Sequence, residues 1–256
     1  MGKRIFLVLF CISFVCGSFC EARIIQTNRI SDVLEHIDEN TWVFLDLDDT
    51  LFTSIHHLGK SEFYCWEHSM LKDLGIEGEE AHRICRMRWD ERQERCPIRL
   101  LEPDSHEVVR QIQEISAYTT GLTARGPRTF SLTLNQLHSV GISFADSALP
   151  AIFVDLPIEH LYQQGIWFVE NNNKGLSVRK WLETHGEHPA KIVFVDDRRS
   201  HVEHMEKALS DLDIEYVGVH YCKFLEMPFD LEIARLQADA FPRVLTNEEA
   251  LERLGR

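Results

Sequence analysis

Beyond its first 22 residues the chain has no apolar run long enough to cross a bilayer, so no membrane span is expected in the mature protein. It has no Cys-x-x-Cys pair, which argues against a zinc ribbon. It has no internal repeat and no low-complexity tract, which argues against a repeat architecture. Basic residues are scarce: 27 Lys and Arg stand against 41 Asp and Glu, a formal net charge of −14. A surface of that sign repels nucleic acid and anionic lipid over long range, while leaving room for a locally cationic phosphate pocket.

Residues 1–22 read as a signal peptide: Lys3 and Arg4 supply a positive start, Ile5 to Val15 an apolar core, and Gly17 to Ala22 a small-residue stretch suited to cleavage. Ala22 and Gly17 both offer a small residue at the cut. The expected location is therefore periplasmic or secreted. Removing 22 of 256 residues leaves about 234, enough for one good core and a small accessory domain. Three of the seven cysteines, Cys11, Cys16 and Cys20, belong to the leader. Export permits disulfides among Cys65, Cys85, Cys96 and Cys222, and buried free thiols are the alternative; the sequence leaves both open.

What the chain does have is concentrated at Trp42 to Phe52. An apolar run from Trp42 to Leu47 reads as a buried parallel strand, and it runs into Asp46, Asp48, Asp49 and Thr50. Ligands of open α/β sheets bind beyond the carboxyl ends of strands, where these acids fall. Asp46 and Asp48 lie two residues apart, on one side of an extended chain, so one can attack a phosphorus while the other handles the leaving group's proton. Asp49 points the other way and reads as structural. Such buried acids call for a neutralising cation. An acidic turn or helix cap is the ordinary alternative for this stretch taken alone.

The rest of the chain alternates strands with helices, as in a parallel α/β sheet. The pattern predicts a leading segment and short helix over Ile24 to Glu39, with Ser31 as its cap. Helices follow at Ser61 to Leu74, Gly78 to Glu94, Asp104 to Ser116, Arg128 to Val140, Lys174 to His185 and Arg198 to Leu209. Strands are expected at Ala117 to Leu122, Lys191 to Val195 and Ile214 to Val219, with a hairpin-like pair at Ala151 to Asp155 and Gly165 to Glu170. Two further helices are expected near the end, at Asp230 to Ala240 and Asn247 to Leu254. The polar, aromatic-dotted stretch 57–103 reads as a helical insert, leaving 23–56 and 104–256 as the core.

Three more sites fall at a strand end or helix start. Thr123 closes a strand and offers a hydroxyl to a phosphate oxygen. Lys174 opens a helix and offers an ammonium to a transferring group. Asp196 and Asp197 end another strand and suit a hard cation such as Mg2+. Taken with the Asp46 loop, the order of these motifs resembles the haloacid dehalogenase (HAD) superfamily. Its DxDxT motif is present as Asp46-Leu47-Asp48-Asp49-Thr50, its threonine as Thr123, its lysine as Lys174 and its acidic motif as Asp196-Asp197.

The resemblance covers Trp42 to Val219. It implies a Rossmannoid α/β fold with a type-one helical cap inserted after the first strand. It further implies Asp46 as the nucleophile that forms an aspartyl-phosphate and Asp48 as general acid, then base. Thr123 and Lys174 would bind the phosphoryl oxygens. Mg2+ would be held by the Asp46 carboxylate, the Asp48 backbone carbonyl and Asp196, with Asp197 in support. Dehalogenase members lack a carboxylate at the place of Asp48, so the resemblance implies an exported phosphohydrolase acting on small phosphorylated substrates.

Some assignments have rivals. Thr119 and Thr120 compete with Thr123, and Lys191 competes with Lys174. Lys191 begins the strand that Asp196 ends, about 15 Å away at about 3.3 Å per residue, so Lys174 is preferred. Arg125 is a candidate substrate contact, with Arg128 beside it. His201 and His204 fit an exposed helix face better than a second metal site, and Trp66 and Trp89 read as insert core. His56 and His57 either shape the active-site entrance or merely begin the insert. The other function classes are a non-catalytic HAD-like binding protein and a secreted interaction protein with a vestigial pocket.

Overall fold

The computed structural model describes residues 23–149, 160–170 and 172–256; the expected leader and the expected strand at Ala151 to Asp155 lie outside them. The strands are β1 (Arg23–Thr27), β2 (Thr41–Leu45), β3 (Phe52–Ser54), β4 (Ile98–Leu100), β5 (Tyr118–Thr123), β6 (Leu161–Gln163), β7 (Ile166–Phe168), β8 (Lys191–Asp196) and β9 (Glu215–Tyr221). The helices are α1 (Ser61–Asp73), α2 (Gly78–Gln93), α3 (Ser105–Ile115), α4 (Phe130–Ser139), α5 (Lys174–His185), α6 (Arg199–Leu209), α7 (Leu231–Asp239) and α8 (Asn247–Arg253).

Among the described residues seven strands form one sheet in the order β1-β9-β8-β2-β5-β7-β6, parallel throughout except for the edge pair β6–β7. Side-chain alternation explains why helices cover both faces. Val43, Leu45, Val193, Val195, Val217 and Val219 point to one side, where Val108, Val109, Ile112 and Leu137 of α3 and α4 meet them. Trp42, Phe44, Ile192, Phe194 and Tyr216 point to the other, against Val178, Trp181, Leu182, Val202 and Met205 of α5 and α6. A strand buried on both faces reads as a continuous apolar run, as β2 does from Trp42 to Leu45 and β8 from Ile192 to Val195. The result is a Rossmann-like α/β fold. Among the described residues no helix is long and apolar enough to cross a membrane.

Several elements differ from expectation. Arg23–Thr27 is a strand, register-paired with Val217–Tyr221, and the helix after it is a 3-10 turn over Ile30–His36 that starts at Arg29 without a side-chain cap from Ser31. The insert therefore follows the second strand of the chain. The partner of β7 is Leu161–Gln163, joined to it by a tight turn through Gln164 and Gly165, both with positive φ.

The insert has a neck as well as helices: β3 and β4 pair antiparallel, Phe52 with Leu100 and Ser54 with Ile98. Its base is covered by the C-terminal tail, where Ala234, Phe229, Leu231 and Phe241 cluster with Leu58, Phe63 and Cys96. Leu58 also donates its N–H to Gln237 Oε1 at 2.9 Å. Cys65, Cys85, Cys96 and Cys222 are all free thiols.

Candidate active site

β2 and β8 deliver their acids side by side. The N–H of Asp46 donates to Val195 O at 2.9 Å, carrying the β2–β8 ladder one residue past the strand. The chain then turns on Leu47 O, which accepts from Leu51 at 2.9 Å and Phe52 at 3.3 Å. Asp49 takes a φ of +57° in that turn, a conformation Asp tolerates better than most residues. Its carboxylate accepts from Thr53 at 2.8 Å and Ser61 at 2.5 Å, so Asp49 is structural, as its position in the motif suggested. Thr50 links the two acidic loops. Its hydroxyl donates to Asp46 Oδ2 at 3.4 Å and accepts the Asp197 N–H at 3.1 Å.

Lys174 is the first residue of α5, a helix capped by Asn173, whose side chain accepts from Leu176 N at 3.0 Å. Its Nζ lies 2.5 Å from Asp46 Oδ1 and 2.6 Å from Asp196 Oδ2, with all three residues buried. The neighbouring Gly175 lets α5 approach α6: a Cβ there would meet His204 O at 2.6 Å and Met205 Cα at 2.7 Å. Lys191, the rival lysine, begins β8 and pairs with Glu215.

Burial raises the Asp46 carboxyl to about 6; Lys174 pulls against that rise and Asp196 adds to it. Burial acts on Asp196 too, but Lys174 and His201 outweigh it and hold that carboxyl below the usual range. Asp197 is pushed well above its usual value by burial and by the negative charge of Asp196 and Asp46. Carboxylate oxygens of Asp46, Asp196 and Asp197 lie within 4.8 Å of one another. Lys174 is the ammonium bonded to this set and Arg198 adds positive charge nearby; a hard divalent cation would relieve the mutual repulsion that helps push Asp46 and Asp197 up. All-oxygen donors match the preference of Mg2+, and these residues fit that ion.

Arg125 holds Asp48. Its Nε and Nη2 donate to the two Asp48 oxygens, each at 2.8 Å, and Nη1 donates to Thr133 at 2.8 Å and Gln136 at 2.6 Å. Arg125, the candidate substrate contact, lines the cavity, and its fork is engaged with Asp48 and buried. Thr123 ends β5 as expected, but its hydroxyl is buried and accepts the Arg125 N–H at 3.1 Å, while Ala124, Arg125 and Gly126 line the cavity at that point.

Two residues were misread in sequence. His201 is half-buried and sets Nδ1 3.0 Å from Asp196 Oδ1, whereas His204 is exposed. The signal available was its place five residues after Asp196, on the first turn of the following helix. Trp89 is not insert core: it lines the cavity and lies over the Arg125 guanidinium at 5.1 Å. Trp66 does pack inside the insert, stacked on Phe63 at 5.2 Å. His57 serves the tail, accepting the Asp230 N–H on Nδ1 at 2.9 Å, and neither His56 nor His57 lines the cavity.

The cavity holds about 810 Å3 between the carboxyl edge of the sheet and the insert. Asp46, Asp48, Lys174 and Asp197 line it on the sheet side, and Tyr64, Arg83, Arg86 and Trp89 on the insert side. That volume suits an organic ligand of moderate size.

A family model described as "Protein of unknown function (DUF2608)" matches residues 24–251. A Chlamydia pneumoniae protein named "Putative outer membrane protein" is 30% identical over 252 residues, covering 95% of each chain. Proteins with the same name from Chlamydia muridarum and Chlamydia trachomatis are 25% and 23% identical, each over at least 94% of both chains. No solved structure matches the chain.

Proposed function

This chain belongs to the DUF2608 family, and we propose that it is a Mg2+-dependent phosphohydrolase of the HAD type that cleaves small phosphomonoesters. One observation carries this reading: Lys174 Nζ bridges Asp46 and Asp196 in a buried cluster at the cavity floor, with Asp48 beside it. A structural ion pair needs neither a third buried acid, Asp197, nor a fourth facing the same cavity.

In the proposed reaction an Asp46 oxygen attacks phosphorus in line with the ester oxygen. The P–O bond to the leaving group breaks as the Asp46–P bond forms, and Asp48, carrying a proton on the exposed side that the Arg125 fork leaves open, gives it to the departing alkoxide. Asp48, now a carboxylate, takes a proton from the water that attacks the aspartyl-phosphate, releasing inorganic phosphate and restoring Asp46. Lys174 offsets charge on the phosphoryl oxygens through both steps. Mg2+, when held by Asp46, Asp196, Asp197 and the Asp48 carbonyl, supplies further charge neutralisation there. The insert excludes bulk water from the floor, which favours small substrates.

The predicted leader at 1–22 and the outer-membrane names of the relatives support export, to the periplasm or beyond. The test is hydrolysis of 4-nitrophenyl phosphate by the mature protein with Mg2+ or EDTA, beside Asp46→Asn. Turnover that needs the metal and disappears in the variant is the expected result. Turnover that survives Asp46→Asn rejects the assignment.

A further inference from the structure

One face of the insert helix α2 docks on the core loops that carry the site. Arg86 pairs with Glu170 at 3.0 Å and Asp90 with Arg128 at 3.0 Å. Between them, Trp89 covers the Arg125 guanidinium at 5.1 Å, and Phe52 of the neck lies over the same group at 5.2 Å. One turn on, Gln93 O accepts from Gln136 Nε2 at 3.4 Å, and Gln136 Oε1 in turn accepts from Arg125 at 2.6 Å. Residues 86, 89, 90 and 93 are spaced i, i+3, i+4 and i+7, a single helical stripe. The stripe's contacts with the core reach Arg125, the nearby Arg128, Gln136 of α4 and Glu170 after β7, and Arg125 ends on both oxygens of Asp48.

The Asp48 side chain is 31% exposed and has no other hydrogen-bond partner among the described residues, whereas Arg125 is almost fully enclosed, at 1%. The aim of the Asp48 carboxylate is therefore set by where the Arg125 fork sits. The fork is fixed on one side by the core, through Thr133 and Gln136, and on the other by the insert, through Trp89. A guanidinium held against an aromatic face and forked onto a carboxylate has little rotational freedom; an ammonium in its place would make neither contact as well.

We propose that Arg125 and Trp89 are positioning residues for Asp48, so that docking of α2 aims the group that serves the leaving oxygen. The inference rests on the phosphohydrolase reading and goes beyond it by assigning the insert a part in the proton-transfer step. The insert does more than cover the site: it completes the geometry of Asp48.

The test compares kcat/KM for 4-nitrophenyl phosphate and phenyl phosphate, substrates of like shape whose leaving groups differ in their need for a proton. Asp48→Asn should raise the ratio of the two most, since acid catalysis matters least for the better leaving group. Trp89→Ala and Arg125→Lys should raise it by about fivefold or more, and Trp89→Phe, which keeps an aromatic face, should leave it within about twofold of wild type. Trp89 lies at the cavity wall, so its variants test the idea even if the buried Arg125→Lys misfolds. A ratio unchanged in Trp89→Ala while Asp48→Asn raises it overturns the proposal. So does a ratio that Asp48→Asn itself leaves unchanged. Asp46→Asn keeps the two levels apart: if it retains turnover, the phosphohydrolase reading falls and this inference with it.

Discussion

Lys174→Met removes the ammonium and keeps most of the side-chain volume. In the native arrangement Nζ lies 2.5 Å from Asp46 and 2.6 Å from Asp196, with the lysine side chain 2% exposed and that of Asp196 fully buried. Removing one partner of a buried pair costs roughly 3–5 kcal/mol, a large share of the stability of a typical domain. His201 remains 3.0 Å from Asp196, so Asp46 bears most of the loss. Asp46 is already raised to about 6 by burial with Lys174 opposing, and without Lys174 it rises further. A carboxyl whose folded pKa lies above its unfolded value binds more protons folded than unfolded, so stability falls as pH rises between the two. Asp46 titrates near 6 in the wild type and higher in Lys174→Met, so the deficit is larger at alkaline pH and shrinks as pH falls toward 6 through the interval between those two folded values. Urea unfolding of both proteins in EDTA, followed by tryptophan fluorescence at about pH 8, 6.5 and 5, measures it. A deficit under about 1 kcal/mol at pH 8, or one equal at pH 5 and pH 8, would refute the buried-cluster argument.

Other consequences are independent of turnover. Gly175→Ala drives a methyl into the α6 backbone near His204 and Met205, so it should destabilise by about 1–3 kcal/mol in urea unfolding. A cost near zero would mean that α5 and α6 can separate freely. Without metal, the wild type should gain stability relative to Asp46→Asn as pH falls from about 6 toward about 4, because the folded Asp46 binds a proton that the unfolded chain does not. Millimolar Mg2+ should flatten that difference, and a wild-type melting temperature that rises with pH relative to the variant across this window would contradict the sign. In the insert, Arg92 forks onto the buried carboxylate of Glu67 and lies over the Phe63 ring at 4.9 Å. Arg92→Ala should loosen α1 against α2, seen as faster proteolysis between residues 61 and 93 with the sheet still protected.

The parts of the fold legible in sequence were those with a local cause. β2 and β8 are buried on both faces and so are apolar over Trp42 to Leu45 and Ile192 to Val195. α5 has its bounds set locally, by the Asn173 side chain at its start and by Gly186, left-handed in the structure, at its end. The DxDxT stretch, Lys174 and the Asp196-Asp197 pair each sit at a boundary between such elements, which is why they could be placed. What could not be read depended on distant partners. β1 is a strand because β9 offers it an edge nearly two hundred residues on, and Arg23–Thr27 alone resembles a linker. The neck strands are three residues each, too short for a periodic signal. Nothing near Arg125 in sequence reveals that its fork closes on Asp48, 77 residues earlier. Trp89 looked like core because an aromatic on an amphipathic helix usually is. His201 was assigned to the solvent side because the turn bringing it back to Asp196 depends on where α6 starts.

The arrangement also gives the tail a purpose. α7 packs on the base of the insert, where Gln237 ties to Leu58 and Asp230 to His57. That anchorage fixes the root of α1, while α2 makes the contacts to Arg125 and Glu170. The two ends of the insert are thus held by different parts of the chain, and the cavity lies between them.

The central claim is that Asp46 carries a phosphoryl group during turnover. Acid-quenching the mature protein with Mg2+ and excess phenyl phosphate, then sequencing its peptides by mass spectrometry, tests it most directly. The account requires one phosphoryl group on the peptide that contains Asp46, absent in Asp46→Asn and in EDTA. Steady hydrolysis with no phosphorylated Asp46 peptide, or a phosphoryl group found on another residue, would contradict it.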